Sequence, residues 1–100
     1  MLTHNGKEVV IEYTPFPESI RGKVKGFLSA SVKFDCWLIC IDSELSPQAQ
    51  RHCLGHELAH LFLDHLDSKK PIPEIEAEAN RRAWEFYRAY KNGKLETASL

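Results

Sequence analysis

Residues 46–66, SPQAQRHCLGHELAHLFLDHL, decide the architecture, because here the apolar period of the chain changes from two residues to between three and four. Ser46 is an N-cap by type, and Pro47 suits the first helical position. Ala49, Cys53, Leu54, Leu58, Leu61 and Phe62 then recur at helical spacing, which predicts a helix through about Leu66. Within it, His56, Glu57 and His60 spell H-E-x-x-H. Residues four apart stand one above the other on one helical face, so His56 and His60 can aim ring nitrogens at a single point. Glu57 lies about 100° round the helix from His56, beside that point rather than on it, where it can take a proton from a water. Two imidazoles among apolar residues need either separate hydrogen-bond partners or a shared cation, and this spacing favours the cation.

Upstream of that helix the chain reads as β structure. VVIEY, IRGKVKGF and CWLICID are β-branched or aromatic runs separated by turn residues, with Asn5-Gly6 as a hairpin signal and Pro15 and Pro17 marking a loop. Arg21 to Lys25 alternates basic residues with Gly22 and Val24, which predicts a strand with one solvated face. Downstream, DSKKPIP (67–73) ends the first helix, and a second runs from about Glu74 to Lys91 on a stripe of Ile75, Ala79, Ala83, Phe86 and Tyr90, stopped by Asn92-Gly93. The last few residues are expected to fray. The expected fold is therefore α+β: a small antiparallel sheet or hairpin layer packed on a zincin-like two-helix core, with residues 1–100 forming a single domain.

Bulk composition narrows the class. Thirteen basic and fourteen acidic side chains give a net charge of −1, so no footprint for nucleic acid or anionic lipid is present. The start, MLTHNGKEVV, has no basic region followed by an apolar run, and no stretch is long enough to span a bilayer. Cys36, Cys40 and Cys53 are an odd and sparse set that suits reduced thiols. A soluble cytoplasmic protein with no direct nucleic-acid or membrane partner is expected.

A catalytic zinc takes three protein ligands and keeps one position open. His65 is five residues beyond His60, about 140° away on a continuous helix, and is expected to cap the helix end or face water. The third ligand should come from the second helix, whose first turns carry Glu74, Glu76 and Glu78. Glu76 lies nearer the apolar stripe and Glu78 on its other flank beside Arg82; periodicity does not choose between them.

The H-E-L-A-H helix followed by E-A-E-A-N-R-R-A (76–83) resembles the ImmA/IrrE metallopeptidase family, over roughly residues 20 to 90. The resemblance implies one Zn2+ per chain held by His56, His60 and Glu78, the glutamate of E-A-N, with Glu57 as general base. It leaves Glu74 and Glu76 as a solvated first turn or a support for a histidine. It also implies limited, regulatory proteolysis of a protein substrate, such as a mobile-element repressor encoded as a separate DNA-binding protein. The family commonly has Thr or Ser where Cys53 stands and often an aromatic where Arg82 stands. Cys53, one turn before His56, reads as a packing residue, a thiolate approaching the metal being the alternative. Cys36 to Asp42 is the candidate strand for holding an extended peptide by edge pairing. Two readings compete with a peptidase: a zinc-containing protein-binding module that does not cut, and a component of a toxin–antitoxin type pair. Glu57 argues against the first, since a purely structural zinc gains nothing from a carboxylate beside a water position.

Overall fold

In the computed structural model, which describes residues 2–95, Asn5 and Gly6 both take positive φ angles, 53° and 78°. This is the tight turn whose twist matches paired strands, and it joins β1 (Thr3–His4) to β2 (Lys7–Thr14) in antiparallel register. β3 (Gly26–Ser31) and β4 (Cys36–Asp42) form a second antiparallel pair. β4 then inserts beside β2 and runs parallel to it, Val9 opposite Trp37 and Ile11 opposite Ile39, so the sheet order is β1-β2-β4-β3. The layer is thus mixed rather than wholly antiparallel. A parallel pair needs a crossover of about a dozen residues or more, and residues 15–35 supply it with β3 included.

The segment Arg21 to Lys25 is a set of turns, not a strand. Arg21 N–H donates to the Pro17 carbonyl at 3.0 Å, and Lys23 and Val24 donate to Ile20 at 3.0 and 3.1 Å. Gly22 takes a φ of 82°, a conformation that glycine adopts without steric cost. The alternation had no apolar set to bury, so local carbonyls took the amides that a strand would have given to a neighbour.

Both helices begin and end for visible reasons. α1 (Pro47–Phe62) is capped by Ser46, whose side chain accepts from Ala49 N–H at 3.2 Å. It stops four residues before the expected Leu66, because Asp64 turns left-handed at φ 56° and ψ 38° and a short 3-10 turn, His65–Asp67, follows. α2 (Ile72–Lys91) closes with Gly93 at φ 68°: Gly93 N–H donates to Tyr90 O and Lys94 N–H to Ala89 O, at 3.1 and 2.8 Å. That paired pattern satisfies the final carbonyls of the helix, and Leu95 folds back into the core. The expected fraying concerns residues 96–100, which lie outside the described residues.

One face of the sheet supplies Val9, Ile39 and Ile41 to a core shared with Leu54, Leu58, Ala59, Ala79 and Phe86. Ile39, Ile41, Leu58, Ala59, Ala79 and Ala83 have no exposed surface. The α+β fold, a sheet layer on two helices, is therefore as expected, and its core seats the H-E-x-x-H helix between sheet and α2. Cys36, Cys40 and Cys53 are free thiols. No helix among the described residues is long and apolar enough to cross a membrane.

Candidate metal centre

The two helices touch at small residues. A Cβ placed on Gly55 would overlap the Ala83 carbonyl and lie 3.2 Å from Tyr87 Cβ, so glycine is what lets α2 approach α1 here. That approach brings the first turns of α2 over the face of α1 that carries both imidazoles. His56 Nε2 and His60 Nε2 stand 3.0 Å apart. Glu76 closes the group, its Oε2 lying 2.9 Å from His56 Nε2 and 3.1 Å from His60 Nε2. Glu57, on the buried side of α1, keeps a carboxylate oxygen within 4.8 Å of the ligand atoms of both histidines.

The far sides of the rings are also occupied. His56 Nδ1 donates to Asn80 Oδ1 at 2.8 Å, which leaves a lone pair on Nε2, since a neutral imidazole carries one proton. His56 Nε2 and Glu76 Oε2 are then two acceptors 2.9 Å apart, with His60 Nε2 within 3.1 Å of both, an arrangement that gains from a proton or a cation between them. Zinc bonds of ~2.0–2.1 Å at tetrahedral angles separate ligand atoms by roughly 3.3 Å, so a few tenths of an ångström of opening accommodates the ion. His56, Glu57 and His60 can hold a metal, and the donor set fits one.

Glu78 is engaged elsewhere. Its Oε1 accepts from His65 Nε2 at 2.7 Å, and His65 Nδ1 lies 2.9 Å from His60 Nδ1. His65 therefore neither caps α1 nor faces water: it is buried, because the left-handed Asp64 ends the helix and swings the next residue back onto His60. On α2 Glu76 and Asn80 are four apart and share the face that meets α1, whereas Glu78 is about 200° round from Glu76. The i, i+4 pair Glu76 and Asn80 was the signal in the sequence that geometry alone could use, once the roll of α2 is known.

Electrostatics follow burial. In the metal-free chain, desolvation and then the Glu76 carboxylate push Glu57 up to about 7. Desolvation, reinforced by His56, lowers His60 against the opposing pull of Glu76. Cys53 is pushed up to about 12 by its burial first and by Glu57 second, so it is a neutral packing thiol under Gly26 rather than a thiolate. Arg82 pairs with Glu85 at 2.8 Å and lies over the Phe86 ring, and neither it nor Tyr87 nor Tyr90 lines the cleft.

That cleft is about 720 Å³ and opens over His56, Glu57 and Glu76, with Lys23, Lys25, His52 and Trp84 on its walls. His52 stacks edge-on against Trp84 at 5.5 Å between ring centres. β4 is hydrogen-bonded on both sides and cannot accept a further strand, which corrects Cys36 to Asp42 as the peptide-holding edge. The outer strand on that side is β3, whose first residue, Gly26, lines the cleft.

A four-stranded sheet on two helices, with H-E-x-x-H on the first and an acidic donor from the second, defines a metal-binding domain built on the plan of metallopeptidases. Comparison with known families gives the particular one: the chain belongs to the Peptidase_M78 family, whose IrrE N-terminal-like domain model matches residues 7–88. The resemblance to ImmA/IrrE metallopeptidases thus holds for most of the chain. No curated protein matches it, and no solved structure does.

Proposed function

We propose that this chain is a zinc metalloendopeptidase that cuts a protein partner at a limited number of positions, with His56, His60 and Glu76 as the metal ligands and Glu57 as the general base. The convergence of Glu76 Oε2 on both Nε2 atoms, at 2.9 and 3.1 Å, carries the reading. Two nitrogens and one oxygen with room for a fourth partner suit zinc among the common ions, and an open position is the mark of a catalytic rather than a structural site. When bound, zinc supplies Lewis acidity to the scissile carbonyl and makes water a better nucleophile at neutral pH.

The residues of the chain supply the remaining chemistry. Glu57 takes the proton of the attacking water on its carboxylate and returns it to the leaving amine, the role of a carboxylate held beside the reacting centre. Glu57 is buried at the inner wall of the cleft, with a carboxylate oxygen close to both histidines. β3 offers an outer strand on which an extended peptide can pair through its backbone, and the Lys23–Lys25 wall favours acidic side chains near the cut. A folded or partly extended protein segment fits an open cleft of this kind better than free amino-acid pairs do.

The family resemblance points to a separately encoded DNA-binding repressor as the partner, and the chain's near-neutral charge fits a protein rather than nucleic acid as the direct contact. The free thiols support a cytoplasmic setting. The test is incubation of the zinc-loaded protein with candidate DNA-binding repressors from the same genome, followed by intact-mass analysis. A single cleavage by wild type and none by Glu57→Gln is the expected result. Stable binding of the partner without any cut, equal in wild type and Glu57→Gln, would instead establish a non-catalytic binding module.

A further inference from the structure

Metal binding by His60 requires a lone pair on Nε2, and so requires the ring proton on Nδ1. Nothing in H-E-x-x-H itself enforces that. The structure supplies a chain of partners that does. A carboxylate only accepts hydrogen bonds, so Glu78 Oε1, 2.7 Å from His65 Nε2, requires the His65 proton on Nε2. When that is the ring's one proton, the His65 lone pair is on Nδ1, which lies 2.9 Å from His60 Nδ1 and accepts there. The His60 proton is thereby held on Nδ1, and Nε2 is left to face Glu76 and His56.

We infer that Glu78 and His65 form a relay that fixes the tautomer and ring orientation of His60 for metal binding, Glu78 acting as a positioning residue and not as a ligand. The inference rests on the reading of His56, His60 and Glu76 as the ligand set. Backbone geometry independently supports it. Asp64 adopts a left-handed conformation, φ 56°, which is sterically unfavourable for a residue with a Cβ. The surroundings hold it there: His4, buried against Phe62 with 4.6 Å between rings, reaches Asp64 Oδ1 through Nε2 at 3.2 Å. The product of that turn is the placement of a buried imidazole behind His60. On the other side Asn80 does the same service for His56 through its Oδ1, so each ligand ring has an oxygen-terminated support on α2. Partners of this kind tune ligand basicity and orientation in metal sites generally.

The experiment measures zinc affinity by competition with a chromophoric chelator, together with the visible spectrum of the cobalt-loaded protein. Wild type, Glu78→Ala, Glu78→Gln, His65→Ala and Glu76→Ala are compared, with circular dichroism of the metal-free forms as the folding control. Glu78→Ala and His65→Ala are expected to weaken zinc binding about 10- to 100-fold while the cobalt bands keep their positions, because the ligand atoms are unchanged. Glu78→Gln, whose amide oxygen still accepts from His65 Nε2, is expected to recover most of the affinity. Glu76→Ala should lose more affinity and change the cobalt spectrum. A shifted cobalt spectrum in Glu78→Gln, or binding abolished in it as in Glu76→Ala, would make Glu78 a ligand and overturn the relay. Unchanged affinity in Glu78→Ala overturns it equally. Failure of wild type to bind zinc at all would remove the ligand reading beneath it, a result distinct from either.

Discussion

Gly55 and Ala83 meet where α1 crosses α2, with no room for a methyl group between the Gly55 Cα and the Ala83 carbonyl. The obstructing atom is backbone, so it cannot turn aside as a side chain would. Gly55→Ala should therefore push the helices apart and destabilise the protein by about 1–3 kcal/mol or more, the range for overpacking a well-filled core. Because Glu76 reaches the histidines only across this crossing, zinc affinity should fall as well. Urea unfolding and chelator competition on the same variant check both; an unchanged midpoint would show that the helices are not held at this contact.

Glu57 makes the metal-free protein sensitive to pH in a definite direction. Its folded value of about 7 lies above its ordinary 4.5, so the native state binds the proton more tightly than the unfolded chain. Stability from this group is full below the unfolded value and is lost as pH rises through about 7. The shift corresponds to something on the order of 3 kcal/mol. In chelator, Glu57→Gln should be more stable than wild type at pH 8, and the gap should close toward pH 4. Urea midpoints at the two pH values measure it, and a gap that does not vary with pH would refute the buried, uncompensated carboxylate.

Cys53 stands next to the site without the character of a nucleophile. Burial holds its thiol up to about 12, which leaves roughly one thiolate in ten thousand at pH 8. Iodoacetamide labelling of the native protein, mapped by mass spectrometry, should modify Cys36 well before Cys53, and unfolding should abolish the difference. Early labelling of Cys53 would reopen a role for it at the metal.

What was legible in the sequence is what short-range geometry determines. His56 and His60 share a face by their spacing alone, Ser46 and Pro47 mark the helix start, and Asn5-Gly6 makes its turn with no help from the rest of the chain. The parallel pairing of β2 with β4 was not legible, because Val9 finds Trp37 across a crossover of more than twenty residues that local alternation does not encode. That Glu76 lies against His60 while Glu78 meets His65 has the same origin. Both sit on the opening turns of α2, and which one faces His60 depends on the roll of α2, set by Gly55 against Ala83. His65 packs behind His60 instead of capping the helix or facing water because its position depends on one left-handed residue, Asp64, steadied by His4 from sixty residues away. Periodicity presumes a continuous helix, and the helix stops.

In the proposed site two imidazoles of α1 and one carboxylate of α2 hold a single divalent ion. Elemental analysis of protein purified without chelator or a histidine tag tests it directly, on wild type, His60→Ala, Glu76→Ala and Glu78→Gln. One zinc per chain is expected in wild type, little in His60→Ala or Glu76→Ala, and near-full occupancy in Glu78→Gln. Full zinc in Glu76→Ala, with none in Glu78→Gln, would contradict this ligand set.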